Sequence, residues 1–550
     1  MNELSSDGRG ARGRAADAGP PARGPLRRLR SSVYPSALGA GLLAVAHVQV
    51  RRWDRAGRNI EAEQRAILKR LLRHSAGTEL GRRWGFADLR DYEGFAHGRT
   101  AVPIGDYDSF SPFIERMRKG EKNLLVPEFV RYFANSSGSS DAGRSKFIPI
   151  TERQIAEQRR SGADTLMRYL VWSGDRALLS GFTLGLFHPT NMDVVGPVVI
   201  TTNPVLMIRK MPVFTKPVYL PDLACDEMAD YDAKMTAIAE RYMDWDVRAL
   251  TGTTCWFPLL FERLLEVAKR RGRRADSVSD IWPNLRVLLG GGVSATPYLP
   301  LIRKLMGRSD VTLVDSYNAT EGGIYAASDH SGERGMLMIP HRGTFFEFVA
   351  LEDIDQPTPR RVPLWAVERD KSYAIVVTTS AGLFAYKLGD IVRFTSLEPL
   401  RIEFVGRLAG CLSVTQELAT HVDIEQAVAH AVAKHPCTTI DFGASADVGV
   451  DGTTKCRYSL FVEFGEGAEP ADPDGFARAF DEGLSKVNRV YGEHRGVALL
   501  AARVVPLAAG ATRAFMEQVT RGRLQGKFPR ILDDARAKQI ACYTRETPRS

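Results

Sequence analysis

Several short stretches of the sequence carry residue types that could hold a nucleotide and activate a substrate. The first runs Ser136-Ser137-Gly138-Ser139-Ser140-Asp141-Ala142-Gly143-Arg144-Ser145-Lys146. Glycines permit tight turns, and backbone N–H groups together with hydroxyls in such a loop form a concave anion site. The stretch therefore predicts a loop that binds the phosphates of a nucleotide. A Ser/Gly-rich surface loop is the alternative.

The spacing from Gly138 to Ser145 also invites comparison with a Walker A loop, although Arg144 stands where that motif needs lysine. A Walker A loop opens directly into a helix, whose N-terminus binds phosphate. Here the chain continues as Phe147-Ile148-Pro149-Ile150, which is typical of extended backbone. This continuation argues against a P-loop NTPase.

Three further segments carry candidate nucleotide contacts. In the segment after Val311–Val314, Tyr317 could stack on a purine, while Thr320 and Glu321 could meet a phosphate and its Mg²⁺, because hard cations prefer oxygen ligands. Asp390, predicted to lie in a turn between strands, could accept both ribose hydroxyls, and Lys527 could bring a cation to the site. Each has an alternative: Glu321 could be a surface residue of a turn, Asp390 could simply start a turn, and Lys527 could be solvated.

The elements around these segments predict an α/β protein. Strand-like apolar runs alternate with helical periods through the first 340 residues, which is typical of α/β layers. Ligands in such sheets bind beyond the carboxyl ends of the strands. The runs Leu285–Leu289 and Val311–Val314 end just before Gly290-Gly291-Gly292 and Tyr317 respectively, so both should lie at that edge.

Changes in composition and in predicted secondary structure along the chain indicate three parts. Residues 1–32 form a basic tail rich in Arg, Gly, Ala and Pro, which we expect to be disordered. Residues 33–405 hold the α/β layers and a β-rich subdomain, and residues 406–550 form a smaller α+β unit. Within the second part, 36–46 is predicted as an apolar helix that docks onto the main domain, and Arg51–Arg73 as a separate amphipathic helix.

Composition excludes several classes of protein. The 550 residues are 44 % apolar and 25 % charged, and seven arginines against three acids in residues 1–30 supply +4 of the net charge of +9. No nucleic-acid-binding motif is present, and the run 36–46 is too short to span a membrane. The six cysteines are widely spaced, which predicts reduced thiols in a cytoplasmic protein and neither a zinc site nor a disulfide framework.

In this order and spacing the segments resemble the adenylate-forming superfamily and, within it, the auxin-responsive Gretchen Hagen family of acyl acid–amido synthetases, in a bacterial form. The resemblance spans about residues 90–530. It is also carried by Val102-Pro103-Ile104, Leu250–Thr253, Trp282–Leu285, Phe346–Phe348 and Phe404–Arg407. It implies a large N-terminal adenylation domain and a smaller, mobile C-terminal domain.

The resemblance also implies an activity: ATP and Mg²⁺ convert a carboxylic acid into an acyl adenylate and pyrophosphate, and an amine, an amino acid, then takes the acyl group. By resemblance, the ATP-binding residues are Ser136, Ser137, Gly138, Ser139, Ser140, Gly291, Gly292, Tyr317 (adenine), Thr320 (α-phosphate), Asp390 (ribose) and Arg407 (hinge). Glu321 would bind Mg²⁺, and Lys527 would assist adenylation together with Thr320 and Glu321.

Two departures from the family pattern keep alternatives open. The phosphate loop has an extra residue around Asp141, and Gln416-Glu417-Leu418 stands where the family often has Gly-Glu-Lys. A member that binds nucleotide or acyl ligand without turnover is therefore one alternative. A ligase that forms a coenzyme A thioester is another, since it differs only in the acceptor. We expect no nucleic-acid partner and no stable membrane insertion, and take a monomer as the default.

Overall fold

The computed structural model describes most of the chain, in a set of ranges separated by short gaps. The described residues are 35–98, 101–136, 146–187, 192–213, 215–228, 231–254, 256–292, 295, 299–354, 356–408, 412, 419–448, 450, 456–488, 491–492, 495–496, 499–519 and 527–544. The predicted tail 1–32 and residues 137–145 of the Ser/Gly-rich stretch lie outside them.

Helices open the described chain. They are α1 (Pro35–Gly57), α2 (Ile60–Ser75), α3 (Glu79–Arg83), α4 (Tyr92–His97) and α5 (Tyr107–Arg118). The predicted boundary between an apolar helix at 36–46 and a helix over Arg51–Arg73 is wrong. No helix breaker stands between the two stretches, so α1 runs through the first and into the second as far as Gly57. The break comes at Asn59, whose side chain accepts a hydrogen bond from Ala62 N and caps α2.

Two sheets follow, in a segment where strands alternate with helices. The elements are β1 (Tyr132–Ser136), β2 (Lys146–Ile150), α6 (Glu152–Ser173), β3 (Phe182–Leu186), β4 (Asp193–Val195), β5 (Val198–Thr201), α7 (Asn203–Arg209), β6 (Tyr219–Leu220), α8 (Leu223–Asp226), α9 (Tyr231–Tyr242), β7 (Val247–Gly252), α10 (Trp256–Arg270), β8 (Val287–Leu289), α11 (Leu299–Met306) and β9 (Thr312–Val314). One sheet has the order β2-β1-β5-β4, and the other, wholly parallel, has the order β6-β3-β7-β8-β9.

The predicted β-rich subdomain is an antiparallel sheet of eight strands. Its strands are β10 (Ser316–Ala319), β11 (Gly323–Ala327), β12 (Met336–Met338), β13 (Phe345–Ala350), β14 (Arg361–Pro363), β15 (Ser372–Thr378), β16 (Tyr386–Leu397) and β17 (Leu400–Arg407), in the order β10-β11-β12-β17-β16-β15-β13-β14. This sheet packs on the N-terminal helices and forms the largest described core, in which Phe110 and Phe345 are fully buried.

The remaining elements form a small α+β unit with its own core. They are α12 (His421–Lys434), β18 (Thr439–Val448), β19 (Cys456–Phe464), α13 (Pro473–Val487), β20 (Arg503–Pro506), α14 (Ala511–Val519) and α15 (Asp534–Ile540). The predicted α/β class is confirmed, whereas the division at residue 406 stays a prediction. Among the described helices, none has the length and hydropathy that a bilayer crossing requires.

Candidate active site

The Ser/Gly-rich stretch joins two antiparallel strands. In the register of β1 and β2, Ser136 lies opposite Lys146 and Phe133 opposite Pro149, and helix α6 begins only at Glu152. The chain after the loop is therefore extended, as predicted, and a Walker A arrangement is excluded. The predicted phosphate contacts Ser137, Gly138, Ser139 and Ser140 lie outside the described residues, and Ser136 is described only as the last backbone position of β1.

The glycine triplet follows β8 at the carboxyl edge of the parallel sheet. Gly290 N donates to Val314 O at 2.8 Å, and Ser316 Oγ donates to Gly290 O at 2.7 Å. A Cβ atom on Gly291 would lie 2.6 Å from Ser316 Oγ, and Gly292 has a φ of +76°. Glycine is therefore required at both positions, and the loop after β8 lies directly against the start of β10.

Thr320 and Glu321 form the turn between β10 and β11. The Thr320 carbonyl accepts hydrogen bonds from Gln154 Nε2 (3.1 Å) and Gln158 Nε2 (3.0 Å), and the Glu321 carbonyl accepts one from Gln154 Nε2 (2.6 Å). Glu321 is only 8 % exposed, so the alternative of a surface glutamate is wrong. Helix α6 thus holds the turn in place.

Tyr317 and Asp390 are in direct contact although 73 residues separate them. Tyr317 Oη donates to Asp390 Oδ2 at 2.7 Å, and both side chains are buried. The Tyr317 ring lies beside Phe404, with the ring centroids 5.5 Å apart. Asp390 does not occupy the predicted turn: it lies within β16, opposite Arg407 of β17, because strand pairing continues past Gly389. The predicted adenine, ribose and hinge residues are therefore neighbours.

Burial raises the pKa of three ionisable groups in this region. Burial, and next to it the Glu321 carboxylate, raise the pKa of Tyr325 and of Tyr386, so both phenols stay neutral. Burial raises the pKa of Asp315 to about 6, against the opposing effect of the backbone N–H groups of Ala295 and Ser316. A cation that binds near Glu321 would compensate this concentration of negative charge.

Lys527 brings a positive charge from the C-terminal part of the chain to the glycine loop. Its Nζ atom donates a hydrogen bond to the Gly292 carbonyl. The segment that carries it is fixed to the α+β unit, since Ala444 N donates to Arg530 O at 2.8 Å and Arg530 Nε lies 3.2 Å from Glu425 Oε1. The lysine predicted to assist adenylation therefore lies at the edge where β8 ends.

Sequence reasoning missed Gln154 and Gln158. Glutamine in a helix is ordinarily solvent-facing, and no local motif marks these two residues. A signal was nonetheless present, because Gln154, Gln158 and Ser161 recur at intervals of four and three residues and so share one helix face. All three are buried.

Comparison with known proteins assigns the family. Residues 49–183 match the model of the GH3 family N-terminal domain, residues 336–407 that of the central domain, and residues 422–536 that of the C-terminal domain. Together these matches cover more than half of the chain. The chain belongs to the GH3 family. The resemblance stated from the sequence is thus confirmed, and GH3 membership accounts for the order in which the predicted segments occur.

Curated relatives of this GH3 protein are amido synthetases. Indole-3-acetic acid-amido synthetase GH3.8 of Oryza sativa subsp. indica is 23 % identical over 532 residues, which cover 83 % of this chain and 85 % of that protein. Jasmonoyl–L-amino acid synthetase GH3.5 of Oryza sativa subsp. japonica is 23 % identical over 509 residues, covering 78 % and 85 %.

Solved structures share the fold. The GH3.15 acyl acid amido synthetase superimposes with a TM-score of 0.68 at 20 % identity, covering 89 % of this chain and 94 % of that one. A 2-hydroxyisobutyryl-CoA ligase in its postadenylation state gives a TM-score of 0.55 at 12 % identity, covering 85 % and 93 %. The GH3 fold of this chain is thus the fold of adenylate-forming ligases.

Proposed function

We propose that this GH3 protein activates a carboxylic acid with ATP, releasing pyrophosphate, and transfers the acyl group from AMP to the amine of an amino acid. The protein is an amide-forming ligase, as its family indicates. The observation that carries our assignment of the site is the 2.7 Å hydrogen bond from Tyr317 to Asp390. This bond joins β10 and β16 at the place where the proposed adenine and ribose contacts must meet.

The nucleoside would bind beside this pair. The aromatic face of Tyr317 would contact adenine, and the Asp390 carboxylate would accept hydrogen bonds from the ribose hydroxyls. Arg407, opposite Asp390 in the next strand, would lie at the hinge between the domains that we propose at 33–405 and 406–550. Since Gly291 and Gly292 leave the β8 loop without side chains, the loop would admit the phosphates close to its backbone.

The chemistry at the α-phosphate would depend on charge stabilisation. A carboxylate oxygen attacks the α-phosphorus, the bond to the β-phosphate oxygen breaks, and negative charge develops on the phosphoryl oxygens. The Thr320 hydroxyl would donate a hydrogen bond to these oxygens and Lys527 would supply a positive charge. Such preorganised donors and cations commonly make the largest contribution to catalysis of this kind.

Magnesium fits the carboxylate present. In the described part of the chain no three His, Cys, Asp or Glu side chains cluster as a metal cage would require. Mg²⁺ ordinarily binds through one or two carboxylates together with substrate phosphates, so the buried Glu321 is sufficient. When bound there, Mg²⁺ would supply charge neutralisation on the phosphates of ATP.

Transfer to the amine would complete the reaction. The neutral amine attacks the acyl carbon, the bond from that carbon to the phosphate oxygen of AMP breaks, and the amine nitrogen loses a proton to solvent, so that the amide and AMP are released. Coenzyme A as acceptor is the second candidate, because the fold is shared with a CoA ligase at a TM-score of 0.55. GH3 membership favours the amide.

Hydroxylamine trapping tests the proposal. The full chain is incubated with ATP, Mg²⁺, hydroxylamine and a panel of carboxylic acids, and hydroxamate and pyrophosphate are measured. Acid-dependent formation of both is expected. Nucleotide binding without either product, across aliphatic, aromatic and indolic acids, would contradict the proposal and identify a non-catalytic member. Amino acids and coenzyme A, offered in parallel with an active acid, then distinguish amide from thioester.

A further inference from the structure

One face of α6 is built to hold the turn that carries Thr320 and Glu321. Gln154, Gln158 and Ser161 are 1 %, 4 % and 1 % exposed, and all three face this turn. The glutamine amides donate to the turn carbonyls at 2.6–3.1 Å, and Ser161 Oγ accepts from the backbone N–H of Ile324 at 3.2 Å. The turn and the start of β11 are therefore hydrogen-bonded to a helix more than 160 residues earlier in the chain.

The two amides use only their donor ends. Because both acceptors are carbonyl oxygens, each amide must point its nitrogen at the turn. The opposite oxygens, Gln154 Oε1 and Gln158 Oε1, are buried without a hydrogen-bond partner among the described residues. A buried carbonyl without a donor destabilises the folded state. The hydrogen bonds that the amides donate to the turn carbonyls offset this cost, and what they provide is a fixed position for the turn.

The contact is also sterically tight. Gly323 has a φ of +98°, and a Cβ atom there would lie 2.8 Å from Gln158 Cγ. At the other end, Thr151 caps α6 by accepting from Gln154 N at 3.1 Å. β2 ends at Ile150, directly before this cap, so β2 and α6 follow one another without a connecting loop.

We infer that Gln154 and Gln158 are positioning residues for adenylation. By fixing the backbone of Thr320 and Glu321 to α6, they set the position of the hydroxyl and carboxylate that the turn presents to Mg²⁺-ATP. The inference rests on the proposed function, because it takes Glu321 as the magnesium ligand.

The hydrogen-bond pattern predicts a ranking of variants. Gln154→Met removes a donor from both turn carbonyls, whereas Gln158→Met removes a donor from the Thr320 carbonyl alone. Methionine keeps the length of the side chain and loses the N–H groups. We expect Gln154→Met to raise the Mg²⁺ concentration for half-maximal ATP–pyrophosphate exchange about tenfold, and Gln158→Met about threefold.

Gln64 offers a matched control. It is fully buried, and its Nε2 atom also donates to two backbone carbonyls, Pro340 O at 2.6 Å and Thr344 O at 3.1 Å. Gln64→Met therefore removes the same kind of donation from a different turn, and it also removes the hydrogen bond that Gln64 Oε1 accepts from Phe346 N at 2.8 Å. We expect it to lower the melting temperature at least as much as Gln154→Met and to leave the Mg²⁺ requirement unchanged within about twofold.

Equilibrium binding separates this inference from the proposed function. ATP binding is measured by calorimetry in the presence of Mg²⁺ and in EDTA. Gln154→Met should bind Mg²⁺-ATP more weakly than the wild type does, and the two proteins should bind ATP equally in EDTA. If the wild type binds Mg²⁺-ATP but shows no acid-dependent exchange, the proposed function fails and this comparison still tests positioning. Should Gln154→Met not fold, Gln158→Met is compared in the same way. Three results would each overturn the inference. The glutamine variants of α6 could show the Mg²⁺ dependence and affinity of the wild type, their shifts could be no larger than those of Gln64→Met, or the wild type could fail to bind Mg²⁺-ATP.

Discussion

Replacing Lys527 by alanine should slow adenylation while leaving the fold intact. The Lys527 ammonium bonds to the Gly292 carbonyl, beside the proposed α-phosphate position. Removing one donor aimed at transition-state charge lowers kcat by about 100- to 1,000-fold, or about 2.7–4 kcal/mol. Because the residue is exposed, the free energy of unfolding should change by no more than about 0.5 kcal/mol.

The assay separates the two half-reactions. Acid-dependent ATP–pyrophosphate exchange reports adenylation, and a chemically prepared acyl adenylate mixed with amine reports transfer. We expect Lys527→Ala to reduce exchange by the stated factor and to leave transfer within about threefold of the wild type. Lys538→Ala, at an exposed lysine of α15, is the control and should change neither rate. Wild-type exchange, or an equal loss in both half-reactions, would refute the assigned role.

Other predictions concern stability and packing at the site. Tyr317→Phe loses the bond to Asp390 and should lower the free energy of unfolding by about 1–3 kcal/mol in urea titrations. Tyr325→Phe should lower it little, because the Tyr325 hydroxyl has no hydrogen-bond partner within the described ranges. Because burial raises the pKa of Asp315 to about 6, the native state holds this proton more tightly than the unfolded chain. Stability should therefore fall by about 3 kcal/mol between about pH 4 and pH 6, and Asp315→Asn should flatten this dependence in pH-resolved melts. Gly291→Ala places a Cβ atom 2.6 Å from a serine hydroxyl of β10 and should lower both the melting temperature and the exchange rate. Wild-type stability of Tyr317→Phe, an unchanged pH dependence of Asp315→Asn, or wild-type melting and exchange of Gly291→Ala would contradict the geometry concerned.

Local signals predicted the parts of the site that depend on local chemistry. Pro149 and its apolar neighbours favour extended backbone, and the structure has β2 there. The glycine triplet and Tyr317 follow short apolar runs, and both lie just beyond strands of the parallel sheet. In each case the residues that determine the conformation lie within a few positions of the residue concerned, so the sequence alone is sufficient.

Contacts between distant segments could not be predicted from the sequence. Gly389-Asp390 has the composition of a turn, but pairing with β17 extends β16 through it, and Leu408 N donates to Gly389 O at 2.7 Å. The burial of Glu321 depends on the packing of the whole site, and its backbone is held by a glutamine of α6. Tertiary hydrogen bonding of this kind overrides local propensity, and no spacing in a single sequence reports it.

The proposed nucleotide site is best tested by a structure with a non-hydrolysable ATP analogue and Mg²⁺ bound. We predict adenine against Tyr317, the ribose hydroxyls on Asp390, and the α-phosphate between Thr320 and Lys527, with Mg²⁺ on Glu321. A nucleotide bound elsewhere, or bound with its phosphates directed away from the Thr320–Glu321 turn, would contradict it.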